Sequence, residues 1–304
     1  MAIKFKASRL ILASISCLLA INVSFPAHIA FAGDPFRTSN SRQIGNDTEQ
    51  AFLALFAKGN YQQAKQHLEQ AAQTNNNDPL VYALTASLAY VDEDWATVKT
   101  NAEKTLKTAQ KLSKDDPMRG DLYTGVGHFL EGAYIFETEG ALGAITKLQQ
   151  VFKYLDQAEA ADPNDPELNL IKGYMDLLLA VNLPFSSPEQ AIQRFQDNAA
   201  PSYLVYRGIA VAYRDLKKYD LALEFVDKAL AETPDNPEVQ YLKAQLLRIK
   251  GRKEQKPELL KQAIPYYDQA LSQSEQLPRS ILKPIERERR KTEEELTAAG
   301  ISLN

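Results

Sequence analysis

Cysteine is almost missing from this chain, with Cys17 the only one in 304 residues. Histidine is nearly as scarce, at three, and no Gly-x-Ser-x-Gly elbow or phosphate-cradling glycine loop is present. A disulfide framework is therefore excluded, and a histidine-based metal or catalytic centre has few residues to draw on. Past residue 32, no stretch reaches the roughly 20 apolar residues that a membrane-spanning helix needs. An excess of positive charge is missing too, since 35 Lys and Arg face 39 Asp and Glu, a net charge of −4. Nucleic acid and anionic lipid both demand a basic face, so neither is expected as the main partner.

The first 32 residues have the three-part form of an export signal. Lys4, Lys6 and Arg9 precede the apolar run Leu10 to Val23, and Ala30-Phe31-Ala32 supplies small residues for cleavage before Gly33. Cys17 does not read as a lipid attachment site, because Ser14 stands where a leucine is usual. Removing the signal takes away three cations and no acid, so the remaining 32 cations against 39 acids give a net −7. It also removes the cysteine, and stability must then come from packing alone. The expected compartment is the periplasm, with the thylakoid lumen as another that accepts such a signal.

What the chain does have is a recurring helical unit closed by proline turns such as Asp162-Pro163-Asn164-Asp165-Pro166 and Thr233-Pro234-Asp235-Asn236-Pro237. The clearest copy runs for 34 residues, from Tyr203 to Asn236. Tyr206, Ile209, Ala210 and Tyr213 mark one helix and Tyr219, Ala222, Val226 and Ala229 the next, each at three- and four-residue spacing. Alanines at the crossing let two antiparallel helices approach closely, while the tyrosines fill the flanks.

Three large residues, Tyr206, Tyr213 and Tyr219, and three small ones, Ala210, Ala222 and Ala229, followed by Pro234, resemble the tetratricopeptide repeat family. Weaker copies stay in phase. Gly59-Asn60-Tyr61 with Ala64, Leu68 and Ala71 is one; Tyr82, Ala86 and Trp95 mark a second; Tyr123, Val126, Gly127 and Leu130 mark a third, whose second helix is longer than usual, from about Ala141 to Ala161. A fourth has Gly173 and Ala191 around an insertion at Pro184 to Pro188, where Ser187 would cap a helix. The sixth has Ala244, Ala263 and Ala270 with an extra polar stretch, Arg252 to Leu259, expected to form an extended turn. The resemblance implies an all-α, right-handed helical solenoid of about six helix pairs over residues 48–282. A signal occupies 1–32, a flexible lead-in 33–47, and a charged capping helix and tail 283–304. Together with the signal, the pattern is similar to exported tetratricopeptide proteins of cyanobacteria.

The same resemblance implies a protein or peptide partner held in a concave groove, with no enzyme activity and no cofactor. Carried onto this sequence, the groove positions are Ser87, Tyr90, His128, Glu131, Tyr174, Arg207, Arg214, Tyr241 and Arg248. Aromatic and arginine side chains of this kind anchor interfaces. The lysine and asparagine clamp used by chaperone-binding members is missing, since Val211 stands near Arg207. Two other readings compete. Tyr90, Tyr174 and Tyr241 as an exposed row would suit a cell-envelope glycan-binding or enzyme-accessory module, with the rings stacking on sugars. His128 and Glu131, three residues apart on one helix face, would suit the metal of a hydrolase only if a neighbouring helix supplied more ligands.

Overall fold

The computed structural model describes residues 33–75, 77–182 and 188–301, so Ser187 and the rest of the Pro184 insertion lie outside the described residues. Thirteen α-helices are described, packed in sequential pairs. They are α1 (Asn46–Phe56) with α2 (Tyr61–Thr74), α3 (Pro79–Val91) with α4 (Trp95–Leu112), and α5 (Pro117–Thr138) with α6 (Ala141–Ala161). Then come α7 (Pro166–Asn182) with α8 (Pro188–Asp197), α9 (Ser202–Asp215) with α10 (Tyr219–Glu232), α11 (Pro237–Glu254) with α12 (Pro257–Ser272), and finally α13 (Arg279–Ala298). This is the all-α solenoid that the repeat pattern predicts.

Four first helices of the units start in the same way. Asp78-Pro79, Asp116-Pro117, Asp165-Pro166 and Asn236-Pro237 each place an Asx side chain before a first-turn proline, and each side chain accepts from a backbone N–H of its own first turn. The cap satisfies an otherwise orphaned donor, and the proline costs no hydrogen bond there. At the crossings, Ala210, Ala222 and Ala229 are fully buried, while Tyr206 and Tyr213 lie partly buried against Phe225. Glycine extends the principle between units. A Cβ on Gly173 or Gly208 would come within 2.6 or 2.5 Å of the Phe195 ring, so α7 and α9 both close on that side chain.

Three parts of the chain depart from the sequence reading. Residues 33–45 are not a free lead-in, because Phe36 and Ile44 are buried and Phe36 meets Phe52 of α1 edge-on at 4.9 Å. The polar stretch after Gly251 is mostly helix, with α11 continuing to Glu254 and only Gln255, in the left-handed region at φ 55°, and the extended Lys256 making the turn into α12. The terminal helix begins at Arg279, before Pro284, which lies inside it.

An open solenoid brings each unit only against its neighbours. Here the first unit also meets the sixth. Asn236 Nδ2 donates to Phe56 O at 2.7 Å, and the Tyr61 hydroxyl donates to Glu238 Oε1 at 2.9 Å. Gly59, whose φ of +60° makes the turn between α1 and α2, is set against Pro237, where a Cβ would fall 2.8 Å from the ring. Ser280 of α13 closes the circuit by donating to Val91 O at 2.9 Å.

Candidate functional site

The lead-in fills one end of the interior. Arg42 reaches Asp116, Asp165 and Glu167 at 3.1, 2.9 and 3.2 Å, and Arg37 also pairs with Asp165. Arg119 donates to the same Glu167 at 3.3 Å and forms an ion pair with Asp78 at 3.3 Å, and the Tyr123 hydroxyl donates to Glu167. The caps of α3, α5 and α7 are thereby drawn together by arginines, in a cluster whose Glu167 is fully buried. Burial works against the Arg119 charge, yet Asp78 and Glu167 outweigh it and hold its pKa well above the usual value. Such a cluster is costly to break, because removing one member leaves buried charge unpaired.

At the other end, between α3, α9, α11 and α13, an open cleft of about 860 Å³ remains. Tyr90, Arg207, Arg214 and Tyr241 line it, together with Trp95, Arg279, Lys283 and Arg287. Tyr90 and Trp95 pack edge-on at 5.3 Å, and the Tyr90 hydroxyl donates to Glu137 at 2.9 Å. Every acid on the wall has a partner. Asp92 pairs with Lys65, Glu137 with Tyr90, and Glu238 with Arg207 and Tyr61, and Glu93 is engaged as well. By contrast, exposed Arg279, Lys283 and Arg287 make no ion pair among the described residues. Four-residue spacing sets these three cations on one face of α13, turned toward the cleft.

The nine groove positions divide accordingly. Arg207 is 7% exposed and bonds to Glu238 at 2.8 Å, and Arg248 is 9% exposed and pairs with Glu295 of α13, so both serve the fold. Tyr174 is buried, with its hydroxyl on Leu204 O at 2.8 Å, and Ser87 and Tyr241 are buried too. Burial and nearby Glu288 push the Tyr241 hydroxyl far above its usual pKa. With Tyr174 and Tyr241 both 2% exposed, there is no aromatic row for a sugar to stack on. His128 and Glu131 do come together at 3.0 Å, but Lys147 donates to the same carboxylate and the ring lies 5.5 Å from Tyr154. Among the described residues, no three His, Cys, Asp or Glu side chains gather in a way that would hold a metal.

Arg214 and Tyr90 are the groove positions that remain partly open on the cleft wall. The cations of α13 were missed because that segment read as a cap facing solvent. Instead α13 packs mainly against α12, where Arg289 pairs with Asp268, and also reaches α11, where Gln245 donates to Glu288 at 3.2 Å; its Ile281 and Ile285 are buried. Its signal was in the sequence as the run Arg279, Lys283, Arg287, from which a boundary at residue 283 cuts off Arg279.

Paired helices with small-residue crossings define an all-α solenoid that is tetratricopeptide-like in its packing. The tetratricopeptide repeat model matches residues 189–246, from α8 into α11. Over 235 residues the chain is 24% identical to the human antiviral innate immune response effector IFIT1, covering 69% of this chain and 47% of that protein, so it spans about half the relative's length. Among solved structures it is similar to a thermophilic tetratricopeptide protein of Thermus thermophilus, TTC0263. That likeness has 20% identity and a TM-score of 0.44, and covers 64% of this chain and 93% of that one. It is also similar to the Cut9–Hcn1 hetero-tetramer of APC/C, at 15% identity and a TM-score of 0.34, over 76% of this chain and 47% of that one. No described helix is long and apolar enough to cross a membrane.

Proposed function

We propose that the protein is an exported, non-enzymatic scaffold that holds an acidic segment of a partner protein in the cleft beside α13. The observation that carries this reading is the charge balance of the wall, where acids are engaged within the chain and Arg279, Lys283 and Arg287 are not. A carboxylate-bearing segment would supply the missing counter-charge, and the Tyr90 and Trp95 pair offers apolar area beside it. Tetratricopeptide repeats as a class mediate contacts between proteins, and the preformed cleft requires little ordering on binding. The glycan alternative loses its motivation with the burial of Tyr174 and Tyr241.

The test is cross-linking capture from envelope extract, comparing the chain with an R279A/K283A/R287A variant that changes only exposed positions. The expected outcome is a partner lost from the variant by roughly tenfold, with cross-links to an acidic stretch and a capture that weakens with salt. Equal capture of the same proteins by both chains would move binding away from this cleft. Arg207 and Arg248 are unsuitable for the purpose, since their loss would damage the fold before it reported on binding.

A further inference from the structure

Glu49 stands in the first turn of α1, partly buried, and no cationic side chain pairs with it among the described residues. Its carboxylate Oε2 accepts one hydrogen bond, from the backbone nitrogen of Gly33 at 3.2 Å. The charged neighbour that acts on it is Asp34, which has the same sign. Burial accordingly pushes the Glu49 carboxyl above its usual value, and the Gly33 hydrogen bond offsets this only in part.

The position of that nitrogen is set by the residues that follow it. Asp34 Oδ1 accepts from Phe36 N at 2.9 Å and Oδ2 from Arg42 N at 3.1 Å, which folds the lead-in back on itself. Phe36 then packs against Phe52, one helical turn beyond Glu49 on the same face of α1. The backbone at residue 33 is thus delivered to Glu49 by a buried aromatic anchor and an Asx turn. The sequence places the cleavage signal Ala30-Phe31-Ala32 immediately before this residue.

We propose that cleavage between Ala32 and Gly33 creates the counter-ion of Glu49, the new α-ammonium of Gly33, so that processing fastens the lead-in to α1. Hydrolysis breaks the amide bond, water giving its hydroxyl to the Ala32 carbonyl and a proton to the Gly33 nitrogen. At neutral pH that amine takes a further proton from solvent and becomes a cation. A neutral N–H donor is replaced by a charged one at the same place, which makes the hydrogen bond charge-assisted. The lead-in carries Arg37 and Arg42 into the cap cluster of α5 and α7, so its attachment bears on the whole interior. The inference rests on the exported reading but not on what the cleft binds.

The experiment has two arms. In the first, the full chain is produced in a secreting bacterial host, and the mass of the exported product should fix Gly33 as its first residue. Any other N-terminus overturns the proposal and counts against the export reading as well. In the second, chains starting at Gly33 are compared with and without N-terminal acetylation, in the native sequence and in E49Q, by urea unfolding at neutral pH. Acetylation should lower the folding equilibrium constant of the native sequence by roughly three- to fivefold and leave E49Q nearly unchanged. Equal effects in both backgrounds, or none in either, would overturn the pairing while leaving export and the cleft untouched.

Discussion

Helices α11 and α6 are both long, at 18 and 21 residues, yet α11 buries twelve of its residues and α6 only three. Helix α11 is surrounded, since α10 and α12 flank it, α13 reaches it at Gln245 and Arg248, and its first turn is the place where α1 and α2 arrive. Helix α6 packs on α5, and its exposed side carries Leu142, 87% exposed, with Ile145 and Phe152. Its base is fastened by Glu159, which binds Lys172 of α7 and Arg194 of α8 at 2.7 Å each. The difference teaches that repeat units with one pattern are not equivalent once the array closes. Stability concentrates where the chain meets itself, and the third unit is left reaching outward.

That contrast breaks most sharply at Glu238. An E238A variant strips Arg207 and Tyr61 of their shared carboxylate in a buried setting and should lose about 3–5 kcal/mol by urea unfolding. N236A removes the cap of α11, which serves both Glu238 N and Val239 N, and the bond to Phe56 O. It should cost about 1–2 kcal/mol in the same assay. On α6 the effect is smaller and depends on pH. Burial raises the Glu159 carboxyl, but hydrogen bonds from Lys172 and Arg194 outweigh it, so its pKa falls below the usual value. A depressed folded-state pKa means that the contribution is complete above the unfolded carboxylate range and is lost as pH falls through the folded value. E159Q should therefore lower the melting temperature slightly at neutral pH, where the contribution is complete, and the gap to the native chain should close as pH falls through the folded value, leaving a flatter acid limb. Smallest of all, L142N should shift stability by less than about 0.5 kcal/mol in urea unfolding, because the side chain it replaces lies in water.

The pairing of helices was legible because its cause is local. Small residues at 210, 222 and 229, Asx-Pro starts and three- and four-residue spacing each act within a single unit, and all are visible within a short window. The long second helix of the third unit was legible for the same reason. The site was read less well, because closure joins residues about 180 positions apart and no local pattern announces it. Arg207 sits at a groove position and would face the groove in an open array; the arrival of Glu238 and Tyr61 makes it structural. Arg248 is covered by α13 in the same way. Position within a repeat states which way a side chain points, but whether anything stands there depends on where the far end of the chain comes to rest.

The contact between Asn236 and Phe56 also limits how this protein can change through evolution. An open array can gain or lose a unit at little cost, because each new unit needs only a neighbour on either side. Here an added helix pair would carry Pro237 and Glu238 away from Gly59 and Tyr61, and a deleted one would drive them into the wrong partners. The number of units is therefore part of the fold, because adding or removing a helix pair would break the contact between the first unit and the sixth.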